Sequence, residues 1–439
     1  MNTKLWLQKG LDKGLTDVEI YASKNESVKV VIYDNKVEEN TVSSVSNVSI
    51  RGVYEGKMGK VRFEHVSDDY VDKMLDQLID NAKAITVNEP AIIYEGSERY
   101  PEVKENNFDF SSVPMTKKVD DLKTLEKTLK DHSKVSAVQS TIYQENNSEA
   151  VLTNTKGLQL ERKNRFAYAY SIGVFGEGED KATAIEFEVF KTYDAFDPHV
   201  LAEKIIQKGI KKLGGRSIET KTYPVVFSNE TFSELLGMFE NLFSQESALR
   251  NLTPFKDKVG SLIFQSNVNI IDNPLHEDAY FQYPFDDEGV ACKKKYIVEK
   301  GVFKGFINDL KTATMFQQEP SGNGFNGGIS MTNMYVEPTN VSFDEMIAPI
   351  EDGVYITNLN GLHAGVKAVS GEFSVQASGF KIVNGKLDHA VKMIVVSGNF
   401  FEALNQVEGI ASDLKFSISG TGSPSVYFKA LSISGESNT

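Results

Sequence analysis

The sequence predicts an α+β protein: an N-terminal part of two αβ units with antiparallel-rich sheets flanked by helices, then a mainly β domain, barrel-like or a folded-over sheet. Three observations carry that expectation. Helices and alternating strands come in blocks, not in regular strand–helix alternation. A helix-then-strands pattern occurs twice before residue 215. After residue 222 the chain turns to short strands, glycines and few helices.

Taken in order, residues 3–14 form a short helix stopped at Gly14. Strands follow over 17–23, 27–34, 36–46, 47–54 and 58–64, with turn chemistry at Asp34-Asn35 and Glu55-Gly56-Lys57. Residues 68–85 form an amphipathic helix with Val71, Met74, Leu75, Leu78 and Ile79 on one face. Pro90, Pro101 and Pro114 break all periodicity over 87–114, a connection between units. The second unit, 115–215, has a helix over 115–131, strands near 134–144, 149–153, 158–163, 166–176 and 181–192, and a helix over 197–213 closed by Gly214-Gly215. The units 1–86 and 115–215 read as a repeated αββββα pattern, although any two twisted hairpins share such alternation and both readings stay open.

The mainly β domain spans 222–439. It opens on Val225-Val226-Phe227, a strand running into an amphipathic helix over 229–250 with Phe232, Leu235, Leu236, Phe239, Leu242 and Phe243 on one stripe. Thr231-Phe232-Ser233-Glu234 has the form of a capping box, and Asn229 offers a cap one turn earlier. Gly237 is the weak point, since a mid-helix glycine costs about 1 kcal/mol relative to alanine. Hairpins are predicted across Lys300-Gly301 and Asn384-Gly385, strands near 267–272, 329–337, 353–359 and 424–433, and helices over 309–316, 342–348 and 399–411.

The 439 residues are 40% hydrophobic and 25% charged, ordinary globular composition with material for two or three cores. A net charge of −14 argues against nucleic acid and against an anionic membrane surface as partners. Cys292 is the single cysteine, so there is no internal disulfide and no Cys-based zinc cluster. No stretch approaches the roughly 20 apolar residues that span a bilayer, and the expected location is the cytoplasm.

Candidate chemistry is sparse. The histidines, His65, His132, His199, His276, His363 and His389, include no pair within helical reach. His276-Glu277 has no second His at the required spacing, which leaves only a metal site assembled from distant residues open. Ser321-Gly322-Asn323-Gly324-Phe325-Asn326-Gly327-Gly328 contains G-x-G-x-x-G, but Glu319-Pro320 precedes it and a strand follows, the wrong context for a dinucleotide; it reads as a mobile or tightly turning loop. Asp286-Asp287-Glu288-Gly289 sets three acids together, with the chemistry to bind a cation or to do acid/base work; a solvated turn is the favoured reading. Cys292 has no neighbouring His to make it a nucleophile.

Phe285-Asp286-Asp287-Glu288-Gly289-Val290, Val298-Glu299-Lys300-Gly301-Val302, Ser321-Gly322-Asn323-Gly324, Ser370-Gly371-Glu372-Phe373-Ser374 with Ala377-Ser378-Gly379-Phe380, and Ser397-Gly398-Asn399 resemble the TldD/PmbA family in order and spacing. Asp17-Val18-Glu19-Ile20-Tyr21 and the hairpin around Gly56 extend the resemblance over roughly 15–430. The resemblance implies a cytoplasmic metalloprotease family, also called modulators of DNA gyrase. Its TldD branch carries His-Glu-x-x-x-His on a helix and a zinc-binding Cys near the C-terminus. Its PmbA (TldE) branch lacks both and pairs with TldD to degrade unfolded peptides. On the TldD pattern, Gly237, Met238 and Leu242 stand where His, Glu and His would be, and no Cys follows Cys292.

The resemblance therefore implies a PmbA-type, non-catalytic subunit with no catalytic residue and no metal of its own, zinc being held by a TldD-like partner. Unfolded peptide would be its substrate, taken up as an added strand on an exposed edge of the C-terminal sheet. Asp287, Glu288, Gly322 and Asn323 are the candidate peptide contacts. Two rivals stay open: a stand-alone homodimeric peptide-binding protein, and an enzyme using the acids 286–288 or Cys292.

Overall fold

A computed structural model describes residues 2–64 and 67–436; His65 lies outside them. The chain divides into two compact units, one of Met1–Leu213 with Asp287–Ala291 and Ala313–Glu319, the other of Gly214–Asp286, Cys292–Thr312 and Pro320–Thr439.

In the first unit, α1 (Thr3–Asp12), β1 (Asp17–Tyr33), β2 (Lys36–Tyr54), β3 (Lys57–Phe63) and α2 (Val71–Ala84) are followed by α3 (Met115–Lys130), β4 (Val135–Asn154), β5 (Gln159–Glu177), β6 (Asp180–Phe190) and α4 (Pro198–Ile210). The six strands form one antiparallel sheet in the order β3-β2-β1-β4-β5-β6. Each half therefore runs outward from the centre in the same strand order, and the repeat is real at the level of topology. Its unit is αβββα, not αββββα. The polar stretches at 24–26, 145–148 and 164–165, expected to separate strands, lie inside long ones because they hold no Gly or Pro and no residue with positive φ to turn the chain. Real turns sit where φ is positive, as at Asp34 (φ 48) and Asn35 (φ 60). There the buried Glu126 of α3 accepts both amides, at 2.8 and 2.7 Å.

Two cores follow from the alternation. Trp6, Val18, Ile20 and Ile50 pack with Met74, Leu75 and Leu78 of α2. Tyr143, Ala167, Ala169 and Phe175 pack with Leu122 and Leu125 of α3 and Leu201 and Ile205 of α4.

In the second unit, β7 (Lys221–Phe227) leads into α5 (Asn229–Gly237). A closed five-stranded barrel is made by β7, Val426–Ser434, Lys386–Asn399, Glu372–Val383 and Asp352–Asn360, the last pairing in parallel with β7. Its strands share one large core with α5. A smaller sheet contains Ile270–Asp272, Lys295–Glu299 and Met334–Val336. The helix expected over 399–411 is confined to Phe400–Leu404, because Val407–Ile410 pairs as a strand with Val426–Phe428. Among the described residues no helix is long and apolar enough to cross a membrane.

Candidate functional site

The expected helix over 229–250 is broken in three. Ser228, not Asn229 or Thr231, caps α5, its Oγ accepting from Thr231 N at 3.2 Å. At the other end Met238 N and Phe239 N bond to the carbonyls three residues back, at 3.2 and 3.0 Å, which tightens the last turn and ends the helix at Gly237. A single 3₁₀ turn, Glu240–Phe243, and a short helix, Gln245–Leu249, follow. The break sits at the weak glycine and leaves Phe239, Leu242 and Phe243 all buried in the barrel core. Phe239 stacks on Phe400 with ring centroids 3.9 Å apart.

The three positions of the missing metal motif are therefore not on one helical face. Gly237 is half-buried, and a Cβ there would meet Thr421 Oγ1 at 3.4 Å. Met238 lies against the core, and Leu242 is inside it on the 3₁₀ turn. A hydrogen atom, a thioether and an isobutyl group do not fit a zinc ion. Among the described residues no three His, Cys, Asp or Glu side chains converge as a metal-binding group.

Beside this break lies a buried polar network that sequence reasoning missed. Asp272, fully buried, ends the strand Ile270–Asp272. Its Oδ1 accepts from Thr332 N at 2.8 Å and from Thr332 Oγ1 at 2.6 Å; its Oδ2 accepts from Asn323 Nδ2 at 2.8 Å and from Lys295 Nζ at 3.1 Å. Burial alone would raise the Asp272 carboxyl; the Lys295 ammonium and the Thr332 and Asn323 bonds outweigh it and hold it below the ordinary carboxylate range. Burial raises Glu240, on the 3₁₀ turn, and the negative charge of Asp272 adds to that rise. The readable signal was a charged residue closing the apolar pair Ile270-Ile271, just before Asn273-Pro274.

Asn323 is the hub of this network, not an open contact. Its Oδ1 accepts from Lys295 Nζ and Ser321 Oγ, each at 2.9 Å, and its Nδ2 also reaches Ser330 O at 2.9 Å. The glycine loop is a tight hairpin in which Gly324–Phe325 pairs with Gly328–Ile329 across Asn326-Gly327, both at positive φ. Gly322 is buried, and its carbonyl accepts from the buried Cys292 thiol at 3.1 Å.

The acids 286–288 are not the solvated turn expected. Asp286 is buried and accepts from Gly324 N at 2.8 Å. Asp287 and Glu288 belong to the first unit, where Arg162 of β5 pairs with Asp287 and Arg51 of β2 reaches Glu288 at 2.8 Å and also holds the buried Glu19. Burial would lower the Arg51 guanidinium, but the two carboxylates outweigh it and raise it, so it stays cationic. Tyr100 Oη donates to Gly289 O at 2.7 Å, completing the anchorage of this segment. Asp287 and Glu288 thus fall in one unit, Gly322 and Asn323 in the other. A shallow polar depression on the barrel is bordered by Ser397, Gly398, Asn399, Glu402 and Gln406.

Fold and site together define an α+β protein of two units, a duplicated αβββα sheet and a closed barrel with a broken helix, whose acids serve a polar scaffold. Comparison with known proteins gives the family. Residues 18–86, 108–213 and 220–435 match the models described as PmbA/TldA metallopeptidase domain 1, central domain and C-terminal domain. The chain belongs to the PmbA/TldD metallopeptidase family. It is 29% identical over 221 residues to a metalloprotease PmbA homolog of Buchnera aphidicola, a match spanning 50% of this chain and 48% of that protein. It is 24% identical over 441 residues to a metalloprotease of Methanocaldococcus jannaschii, covering 92% and 91% of the two chains. Among solved structures it superposes on a modulator of a DNA gyrase from Thermotoga maritima with a TM-score of 0.92 at 28% identity, covering 98% and 99% of the chains. TldE of Thermococcus kodakarensis shares the fold, with a TM-score of 0.87 at 22% identity and coverage of 99% and 100%.

Proposed function

We propose that this chain is the non-catalytic, PmbA/TldE-type subunit of a cytoplasmic TldD/TldE-type metalloprotease that degrades or processes unfolded peptides. The observation that carries this reading is the motif position itself: Gly237, Met238 and Leu242 offer neither a zinc ligand nor a general base, and Leu242 is committed to the core. Zinc and hydrolysis then belong to a TldD-like partner, and this chain helps enclose the peptide. Asp287, Glu288 and Asn323 act in this reading as braces of the scaffold, since each already holds a partner in the chain.

Purified chain is mixed with a TldD-like protein, and association and hydrolysis of an unfolded peptide are followed. The chain alone is expected to be inactive, and the mixture to form a complex that cleaves peptide faster than the TldD-like protein alone. Neither association nor gain in cleavage would overturn the proposal, as would cleavage by the lone chain.

A further inference from the structure

The loop over 273–283 is compact and its ends are tied together, Tyr283 N donating to Pro274 O at 2.9 Å. Much of its bonding is internal. His276 N and Ala279 N donate to the carbonyls of Asn273 and His276, each at 3.2 Å, and Gln282 Nε2 reaches the Leu275 and His276 carbonyls. Asn333, Ala279 and His276 fix the loop to the strands beneath it. The buried Asn333 donates through Nδ2 to Asn273 O at 3.2 Å and to Phe281 O at 2.9 Å. Ala279 joins Ile271, Tyr335 and Phe416 in a small apolar cluster. The His276 ring sits against the same cluster, its centroid 4.9 Å from that of Tyr335 and 4.8 Å from that of Phe416.

Of these anchors, His276 is the one whose grip depends on a proton. Its Nδ1 accepts from Asp278 N at 3.2 Å, which requires a lone pair on that nitrogen. A neutral imidazole with its proton on Nε2 supplies the lone pair; an imidazolium, a donor at both nitrogens, does not. Burial beside the two aromatic rings, with the side chain only 18% exposed, pushes His276 below the ordinary histidine range. Lys294 adds to that fall. Asp278, whose Oδ2 lies 4.0 Å from Nδ1, and Glu277 oppose it without reversing it. The strands packed against the ring bring no compensating charge. Burial and then Glu337 push the Tyr335 phenol up to about 12, so it stays neutral, and Lys415, beside Phe416, is paired with Glu230.

We propose that the loop over 273–283 is an acid-released latch: neutral His276 holds it down against Tyr335 and Phe416, and protonation at Nδ1 frees it. Release breaks the bond from the Asp278 amide, withdraws the imidazole from its aromatic neighbours and uncovers the apolar cluster of Ile271, Tyr335 and Phe416. The effect reaches the polar network, because Asn273 follows directly on Asp272 and Tyr283 packs on Phe325 of the glycine hairpin, ring centroids 5.4 Å apart. His276 binds its proton more weakly with the loop closed than in an open chain. Closure is therefore complete above the open-chain value of about 6.5 and is lost as pH falls through the closed-loop value. The latch works whatever the chain's role in peptide hydrolysis.

The test is NMR of the full chain with labelled histidine, together with hydrogen exchange, from about pH 7.5 to about pH 5, the range in which histidine changes charge. The His276→Phe variant, which keeps a ring in the cluster and removes the proton, is measured beside it. The His276 ring is expected to titrate below the ordinary histidine value. The amides of residues 275–283, corrected for the intrinsic pH dependence of exchange, should open several-fold more often at the acid end, and those of His276→Phe equally rarely at both ends. A ring that titrates at or above the ordinary value would overturn the proposal, as would wild-type protection that does not change with pH. A variant that opens in acid as the wild type does would assign the effect to another group and overturn it equally. The ring titration needs no variant, so the proposal stays open to refutation even where His276→Phe fails to fold.

Discussion

The Asp272 carboxylate has lost all its water and gained four hydrogen bonds, one of them from an ammonium group. Breaking one partner of such a buried pair leaves the other uncompensated, which costs about 3–5 kcal/mol. Asp272→Asn is therefore expected to lower stability by that order at pH 7, measured by chemical denaturation, and Lys295→Met added to it should recover part of the loss. The sign of the pH dependence follows from the depressed pKa. Asp272 binds its proton more weakly folded than unfolded, so its contribution is complete above the unfolded value of about 3.9 and is lost as pH falls through the folded value. The wild type should therefore lose its advantage over Asp272→Asn in acid. At this scale the sequence was least informative. Asp286, Asp287 and Glu288 were visible as a cluster, but their partners Gly324, Arg162 and Arg51 lie far away in the chain, and nothing local distinguishes a brace from a solvated acid.

Among the elements, amphipathic helices were read well because their burial follows a local period: α2 buries Val71, Met74, Leu75, Leu78 and Ile79, all five expected. Breaks were read less well. The stripe from Phe232 to Phe243 fits one helix, yet the barrel core takes Phe239, Leu242 and Phe243 together, and tertiary packing overrides the helical period at Gly237. The second helix of each αβββα half approaches its sheet through a glycine. At Gly59 of β3 a Cβ would lie 2.2 Å from Leu78 O of α2, a backbone atom held in its helix. Gly59→Ala should cost about 1–3 kcal/mol by forcing α2 off the strand. The shift in melting temperature checks this, and an unchanged midpoint would mean that α2 moves freely.

For the whole molecule, the α+β class, the repeated first part and the barrel-like second part were legible, because blocks of helix and strand follow from patterns a few residues long. Strand length and closure were not, since both depend on pairing between distant segments, as when Asp352–Asn360 meets both β7 and Glu372–Val383. The family was legible from five short motifs in order, and the structure gives several of those residues scaffold roles: Asp286 and Gly324 hold each other, and Asn399 caps the helix Phe400–Leu404. The proposed role of this chain rests on the content of one short stretch, Gly237 to Leu242. The most direct test is elemental analysis of zinc in the purified chain, alone and after mixing with a TldD-like protein and reisolation of the complex. The account predicts far less than one zinc per chain for the protein alone, and about one per TldD-like subunit in the complex. Stoichiometric zinc in the lone chain would contradict it.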